Sequence, residues 1–153
     1  MRLFEDEVSL SVELNDFAER NKENLGFVSL DAPLLSNLDV WINIALIKQY
    51  HENLSAEKAR ALVLSYLRKY GMEHIAEKRN PALTSKERFC AMLIRAAMVR
   101  DAVIVIDRPF TVLTDVKNDR FICDALKVVE NSFRECHIFD YMWHKERYRT
   151  ATA

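Results

Sequence analysis

The chain has 153 residues, half of them apolar, and its 22 lysines and arginines stand against 23 aspartates and glutamates. This length and composition allow one domain, residues 1–153, with a hydrophobic core. Because the basic residues are scattered through mixed-charge segments, nucleic acid is not expected as the main partner. No stretch approaches the roughly 18 apolar residues of a membrane span, and "MRLFEDEVSL" lacks a leader pattern, so a cytoplasmic protein without direct membrane insertion is expected.

The cysteines and histidines do not predict a metal site. Cys90, Cys123 and Cys136 are an odd number, and none lies in a C-x-x-C spacing, which indicates buried thiols of a reducing compartment. The histidines include no close-spaced pair of the H-E-x-x-H kind.

Two strands are predicted near the N-terminus. In "EVSLSVEL", residues 7–14, valine and leucine alternate with polar residues, which is typical of a strand with one face in the core. "LGFVSL", residues 25–30, is predicted as the second strand.

Residues 36–80 are predicted to form a helical subdomain. "SNLDVWINIALIKQYH" has helical spacing of its apolar residues after a cap at Ser36 or Asn37. A second helix is predicted to begin after the cap Ser55 and to end at Gly71, a typical left-handed position. A short helix over "EHIAEK" ends before "NP", since the residue before proline disfavours helix.

The second half of the chain reads as alternating helices and strands. "TSKE", Thr84 to Glu87, is a capping box for a helix that runs to about Arg100. Next come a buried strand over Ala102 to Ile106, a helix within "DVKNDRFICDALKVVENSF", a strand "CHIFDY", a closing helix "MWHKERYR" and a frayed tail "TATA". The predicted fold class is therefore α/β, with a largely parallel sheet and the helical subdomain inserted in the α/β core.

The stretch "VIVIDRPF" delivers Asp107 to the edge of the predicted sheet. A carboxylate at such an edge often holds a metal and is joined by a second acid or a base, yet Arg108 follows it. The pair is interpreted either as an ion pair at the solvent edge or as the remnant of an active site.

From Gly26 to Tyr141, about three quarters of the chain, the order of segments resembles the ATP-binding subunit of ABC transporters. "GFVSLDAPLLSNLDVWINIAL" resembles the family's Q-loop region and the start of its helical subdomain. "PALTSKERFCAMLIRAAMVRDAVIVIDRPF" aligns without a gap with the signature motif, the helix behind it and the Walker B strand. The resemblance implies a degenerate, truncated P-loop NTPase-like fold. The family's A-R-A falls on Ile94, Arg95 and Ala96, and its D-E-P on Asp107, Arg108 and Pro109.

The resemblance implies that most functional positions are altered. The Q-loop glutamine falls on Leu30, next to Asp31, and the catalytic glutamate falls on Arg108, whereas the metal-linked aspartate is retained as Asp107. Arginine in place of the acid would remove the base that polarises the attacking water, a step that contributes about 10² to 10⁴ in rate.

The family's phosphate-binding P-loop, which would lie before Gly26, has no counterpart in the sequence. The first 25 residues contain no glycine, and Lys22 lacks the context of a P-loop lysine. A phosphate cradle needs residues at positive φ, which costs a non-glycine residue about 1 to 2 kcal/mol.

The family's signature L-S-G-G-Q falls on Leu83, Thr84, Ser85, Lys86 and Glu87. In the family this helix N-terminus serves the nucleotide of the partner subunit. Here the capping box would satisfy the N–H donors internally and Glu87 would repel phosphate. The alternative is a weakened role toward a partner's nucleotide, supported by the cation Lys86.

The remaining carried-over positions lie near the end of the chain. The D-loop aspartate falls near Thr114 and Asp115, and the switch histidine falls at Tyr141, with His144 three residues further on. The aromatic residues of "YMWH" are interpreted as closing a core edge rather than as binding a base or sugar.

The resemblance also suggests a partner-binding surface. In the family, the start of the helical subdomain receives the coupling helix of a membrane subunit, and this stretch carries Leu34, Leu35, Leu38 and Trp41. The alternative interpretation is that Trp41 belongs to the core.

Three functions follow as hypotheses. The first is a catalytically inactive pseudo-ATPase that acts as an interaction or regulatory subunit, with a membrane permease, an intact ATPase subunit or itself as partner. It needs no cofactor and works in the cytoplasm, at the inner face of the membrane when a permease is the partner. The second is an ABC ATP-binding subunit whose P-loop comes from a partner chain, with ATP and magnesium as cofactors. The third is a small α/β protein-binding module unrelated to transport.

Overall fold

The computed structural model describes residues 1–149 and has four strands in one parallel sheet, in the order β1-β4-β3-β2. The strands are β1 Arg2–Phe4, β2 Leu25–Val28, β3 Val103–Asp107 and β4 Glu135–Tyr141. The helices are α1 Glu7–Arg20, α2 Val40–Glu52, α3 Ala56–Lys69, α4 Ser85–Ala97 and α5 Arg120–Val128. Short 3₁₀ segments lie at Glu73–Ile75, Asn80–Ala82, Pro109–Thr111, Glu130–Ser132 and Met142–Tyr148. The predicted mixed α/β fold with a parallel sheet is confirmed.

The prediction of a strand over residues 7–14 is wrong, because this segment is the first half of α1. The Asp6 carboxylate caps the helix by accepting a hydrogen bond of 2.7 Å from the backbone N–H of Ser9. Alternation and helical spacing coincide for residues four apart, so the sequence pattern fitted both structures. The next residue of the buried stripe distinguishes them. Leu10, Leu14 and Phe17 are buried, whereas Val8 and Val12 are exposed.

The short strand β1 was not predicted from the sequence. It pairs with the end of β4, with Phe4 opposite Tyr141. Three residues are too few to show a periodic pattern.

The buried strand β3 lies in the interior of the sheet, between β2 and β4. All five of its residues are buried, as expected for a parallel strand covered on both faces. The predicted strands over residues 102–106 and 136–140 are therefore confirmed, and the strand over residues 25–30 is confirmed with an end at Val28.

The helical segment after β2 begins later than predicted. The residue before α2 is Asp39, and neither Ser36 nor Asn37 caps it. Instead, Val40 N–H donates to Lys78 O (2.9 Å), which joins the start of α2 to the segment that follows α3. The predicted Ser55 cap of α3 is confirmed by a 3.2 Å hydrogen bond from Lys58 N–H.

The ends of other elements also differ slightly from the prediction. The helix that follows the capping box ends at Ala97 rather than near Arg100, and the predicted closing helix is a 3₁₀ segment, Met142–Tyr148. The predicted frayed tail, residues 150–153, lies outside the described residues. No helix in residues 1–149 is long and apolar enough to cross a membrane.

Candidate functional site at the carboxyl edge of the sheet

The four parallel strands end at one edge of the sheet, which is where open α/β folds place their ligands. This carboxyl edge collects the Q-loop-like, Walker B-like and switch-like candidates that the sequence suggested, whereas the signature-like segment begins α4 and the suggested partner surface lies around the start of α2. Glu5 and Asp6 follow β1, and Ser29 to Asp31 follow β2. Asp107 is the last residue of β3 and precedes Arg108, and Tyr141 is the last residue of β4 and precedes Met142 to His144.

Asp107 is buried at the centre of this edge, and its carboxylate is occupied by donors from the chain itself. Its side chain is 1% exposed. Arg108 donates from Nε to Oδ1 (2.8 Å) and from Nη2 to Oδ2 (3.1 Å). Ser29 Oγ also donates to Oδ2, at 2.7 Å. Both carboxylate oxygens are therefore hydrogen-bonded within the protein.

Arg108 is held in place by further contacts. Its backbone N–H donates to Phe139 O at 2.7 Å, and its φ of 45° lies in the left-handed region, which costs a non-glycine residue about 1 to 2 kcal/mol. The guanidinium also lies 3.4 Å from Tyr141 Oη and 3.4 Å from Asp31 Oδ2. The hydrogen bonds to Asp107 raise the pKa of Arg108, so this side chain is a cation. Its contacts reach from Asp31, after β2, to Tyr141, at the end of β4.

The position before Gly26 where a P-loop would lie is occupied by the β1–α1 unit. Only Glu5 and Asp6 separate the strand from the helix. The hydrogen bond from the backbone of Ser9 lowers the pKa of Asp6, so its carboxylate is charged at the N-terminus of α1. Lys22 lies beyond the opposite end of α1 and pairs with Glu19 at 3.2 Å. This lysine is therefore at the wrong end of the helix for a phosphate site.

The signature-like segment forms the predicted capping box at the start of α4. Glu87 N–H donates to Thr84 Oγ1 (3.2 Å), and Thr84 N–H donates to Glu87 Oε1 (3.0 Å). The backbone hydrogen bond from Thr84 is the main cause that lowers the pKa of Glu87, and a contact of 2.9 Å between its Oε2 and His74 Nε2 adds to it. The helix N-terminus thus carries a charged carboxylate.

The neighbours of the capping box are also engaged. Ser85 Oγ donates to Asp115, the residue near the family's D-loop aspartate. Lys86 Nζ lies 5.3 Å from the centre of the Phe121 ring. The contact between Ser85 and Asp115 brings the signature-like and D-loop-like segments together. The Lys86 ammonium, the cation of the capping box, lies near the ring of Phe121.

The residues at the end of β4 form an aromatic stack. The rings of Tyr141 and Trp143 lie 4.1 Å apart and nearly parallel, and Trp143 is 62% exposed. His144 Nδ1 lies 2.9 Å from Oδ1 of the buried Asp140. The interpretation of "YMWH" as closing a core edge is therefore wrong for Trp143, which faces solvent because the 3₁₀ turn carries it past the end of the strand.

The residues of the suggested partner surface differ in burial. Leu34 is buried in the core, so it is removed from that surface. Leu35 is 50% exposed, and Leu38 and Trp41 are half-buried. Trp41 packs against the core, and the Arg60 guanidinium lies 5.9 Å from the centre of its ring. Trp41 is thus neither a free surface residue nor a fully buried one.

Asn43 organises this surface and was not singled out from the sequence. It is 3% exposed, and its Oδ1 accepts a hydrogen bond of 2.7 Å from Leu35 N–H. Its Nδ2 donates to the carbonyls of Leu35, Leu38 and Asp39 at 3.1 to 3.2 Å. The signal in the sequence was an amide within an apolar helix face, where a polar group needs partners.

Two arginines of α4 were also missed as organising residues. Arg95 donates to the carbonyls of Ala32 and Pro33, which fixes the loop after β2 against the helix. Arg88 donates to Asn80 and Leu83, which fixes the segment before the capping box. Nothing in their spacing distinguished them from solvent-facing arginines.

Within residues 1–149, no group of three or more His, Cys, Asp and Glu side chains is arranged to hold a metal ion. Cys90 is buried as predicted, whereas Cys123 and Cys136 are half-buried. Desolvation raises the pKa of the Cys90 and Cys136 thiols to about 12. The thiols are therefore protonated at neutral pH.

The chain is similar in sequence to ATP-binding proteins of ABC transporters. The lipopolysaccharide export system ATP-binding protein LptB of Escherichia coli K12 is 21% identical over 112 residues, which are 73% of this chain and 45% of that protein. The molybdate/tungstate import ATP-binding protein WtpC of Archaeoglobus fulgidus is 25% identical over 112 residues, again 73% of this chain and 45% of that protein. The chain thus spans less than half the length of these curated relatives. No family model matches it.

Solved structures show the same likeness in fold. The dimeric bacterial ABC transporter cassette MJ0796 matches with a TM-score of 0.60 and 22% identity, over 83% of this chain and 56% of that one. Its post-hydrolysis state bound to ADP and phosphate matches with a TM-score of 0.59 and 22% identity, over 84% of this chain and 56% of that one. The chain has the fold of an ABC transporter cassette, and the predicted resemblance is confirmed.

Proposed function

We propose that this chain, which has an ABC cassette fold, is a catalytically inactive ATPase-like subunit that acts as an interaction or regulatory component of a transport-related complex. Its partner is a membrane permease, an intact ATPase subunit or a second copy of the chain, and its place is the cytoplasm. The similarity to ATP-binding proteins of export and import systems supports the link to transport.

The contacts of Asp107 are the observation that carries this proposal. A carboxylate that binds a magnesium ion must offer free lone pairs to the ion or to its waters. Here Arg108 and Ser29 occupy both oxygens. The cation stands where the resembled family has its catalytic glutamate, so the edge lacks the base that would polarise water.

The β1–α1 connection also supports inactivity. A P-loop joins a strand to a helix through several glycine-rich residues whose N–H groups surround the phosphates. The connection here has only Glu5 and Asp6, and Glu7 opens the helix. These carboxylates repel phosphate, and the Asp6 side chain already accepts from Ser9 N–H. The residues at this edge do not fit a nucleoside triphosphate with its magnesium ion.

The second candidate is a subunit whose P-loop comes from a partner chain, and it is supported by Asp107, which the sequence retains at the metal-linked position of the resembled family. A P-loop from another chain would have to approach Asp107 and displace the Arg108 guanidinium. The third candidate, a module unrelated to transport, is less well supported because the cassette fold covers 83% of the chain.

The proposed partner surface is formed by Leu35, Leu38 and Trp41 at the start of the helical segment. The side-chain amide of Asn43 fixes the backbone of residues 35–39 through hydrogen bonds, so the surface is ordered before a partner binds. Such preorganisation reduces the entropy lost on association. The half-buried Trp41 supplies a rigid aromatic anchor.

Nucleotide titration tests the proposed inactivity. We expect no saturable heat when the purified chain is titrated with ATP and magnesium, and no phosphate release above background. The same titration is repeated with a partner that co-purifies from the native host. Micromolar binding by the chain alone would overturn the proposal, and binding that appears only with a partner that has no site of its own would favour the second candidate.

The partner surface is tested with Trp41→Ala and the matched variant Tyr50→Ala, which removes an exposed aromatic ring from the same helix. We expect Trp41→Ala to weaken capture of a permease or ATPase subunit by about 2 kcal/mol or more, while Tyr50→Ala leaves it unchanged. Equal capture by both variants would place the interface elsewhere.

A further inference from the structure

The carboxyl edge of the sheet exposes three large apolar side chains. Trp143 is 62% exposed, Leu30 is 52% exposed and Met142 is 43% exposed. Aromatic and methionine side chains are enriched where proteins bind one another, and a tryptophan with most of its surface in solvent is uncommon. These three residues, with Tyr141 beneath Trp143, are called the edge patch.

The edge patch is held together by Arg108. The guanidinium lies 3.4 Å from Oδ2 of Asp31 and 3.4 Å from Oη of Tyr141. Asp31 is the residue that follows Leu30 in the chain. The ring of Tyr141 in turn stacks on Trp143 at 4.1 Å. A chain of contacts therefore links Asp31, the residue after Leu30, to Trp143 through Arg108 and Tyr141.

The charges beside the edge patch are mainly negative. Glu5 and Glu7 are exposed and follow β1, where Phe4 lies opposite Tyr141, and the Asp31 side chain is 77% exposed. The nearby cations are mostly engaged, since Arg108 pairs with Asp107 and Arg147 lies 4.8 Å from the centre of the Phe110 ring. The remaining cation of the adjoining 3₁₀ segment is the exposed Lys145. Carboxylates outnumber uncommitted cations at this edge.

We propose that the edge patch is a docking surface for a basic segment of a partner protein in which arginine or lysine alternates with apolar side chains. The inference rests on the proposed function, because a nucleotide bound in the family's manner would occupy the same edge. An arginine of the segment stacks on the exposed face of Trp143 while Glu5 and Glu7 balance its charge. The apolar side chains of the segment cover Leu30 and Met142. Phosphate and nucleic acid are disfavoured by the same carboxylates.

The test uses the full chain and synthetic peptides of known sequence. The probe is a short capped peptide of alternating arginine and leucine, compared with one of glutamate and leucine and one of lysine and serine. NMR signals of the backbone amides and of the two indole N–H groups report binding at physiological salt, and Trp41→Phe assigns the indole signals. We expect saturable shifts of Trp143 and its neighbours with the arginine–leucine peptide and weaker binding of both others.

Variants locate the site. Trp143→Ser should weaken binding about tenfold or more, whereas Tyr50→Ser, which removes an even more exposed aromatic ring elsewhere, should not. The pair Glu5→Gln and Glu7→Gln should weaken binding and reduce its salt dependence, whereas Glu57→Gln, an exposed glutamate in the first turn of α3, should not. The proposal is overturned if the Trp143 indole does not shift, if the control variants weaken binding equally, or if either comparison peptide binds as tightly.

ATP with magnesium is added to the same samples. Shifts caused by nucleotide would contradict the proposed inactivity without affecting the peptide result. Absence of peptide binding would remove the docking surface and leave the proposed inactivity intact.

Discussion

Ser29 and Asp107 lie 78 positions apart in the chain and share a hydrogen bond of 2.7 Å that joins the end of β2 to the end of β3. Arg108 completes the arrangement by donating to both oxygens of the same carboxylate. Because Asp107 is buried, its charge depends on these donors for compensation. The arrangement therefore contributes to the stability of the folded protein.

Replacing Arg108 should lower the free energy of unfolding of the protein. Removing one partner of a buried ion pair costs about 3 to 5 kcal/mol, and the value for Arg108→Ala should lie near the lower limit because Arg108 is 21% exposed and Ser29 still donates. Urea unfolding measures the change. The control is Arg68→Ala, which breaks the exposed pair with Glu73 and should lower the unfolding free energy far less, because solvent screens this pair. Equal losses in the two variants would show that Asp107 does not depend on Arg108.

Much of the fold was predictable wherever a local signal had one structural meaning. The "TSKE" capping box, the Ser55 cap and the apolar run that ends at Asp107 each specify a single conformation of a few residues, and all three are found. The segment over residues 7–14 failed because leucines four apart fit both a strand and a helix. The Asp6 cap was the signal that would have decided it.

The candidate site was predictable in position but not in contacts. The strand pattern placed Asp107 and Arg108 at the carboxyl edge, since parallel strands end together. Their bond to Ser29 depends on the register of β2 against β3, which pairs Val28 with Ile106 and which the sequence does not display. The role of Asn43 likewise depends on where the loop over residues 35–39 runs.

Asn43 should be intolerant of apolar replacement. Asn43→Leu keeps a similar volume but leaves the backbone N–H of Leu35 without its acceptor and removes the donor to three carbonyls. A group left unsatisfied in this way costs about 1 to 3 kcal/mol. Amide hydrogen exchange should accelerate in residues 35–39 more than in β3. If protection of these amides is unchanged, the side chain does not hold the loop.

The two glycines should respond differently to alanine. A Cβ on Gly26 would lie 2.4 Å from the carbonyl oxygen of Ala96, so Gly26→Ala must push β2 away from α4 at a cost of about 1 to 3 kcal/mol. A Cβ on Gly71 would meet nothing within 4 Å, but its φ of 68° is left-handed, and Gly71→Ala should cost about 1 to 2 kcal/mol. Crystal structures of both variants would show displacement of β2 in the first only. An undisturbed β2 in Gly26→Ala would contradict the close packing.

Acid should destabilise the protein partly through Glu87. The hydrogen bond from Thr84 N–H, assisted by His74, lowers the pKa of this carboxylate in the folded state. The folded state therefore binds fewer protons than the unfolded state, where the pKa is about 4.3. The resulting stabilisation is complete above that value and is lost as the pH falls through the folded-state pKa.

Glu87→Gln should flatten the dependence of the unfolding free energy on pH below about pH 5, measured by urea titration at several pH values. Glu57→Gln, which changes an exposed first-turn glutamate of α3, should retain the original slope. If the unfolding free energy of Glu87→Gln depends on pH as steeply as that of the unmodified chain, the charge on Glu87 does not strengthen the capping box.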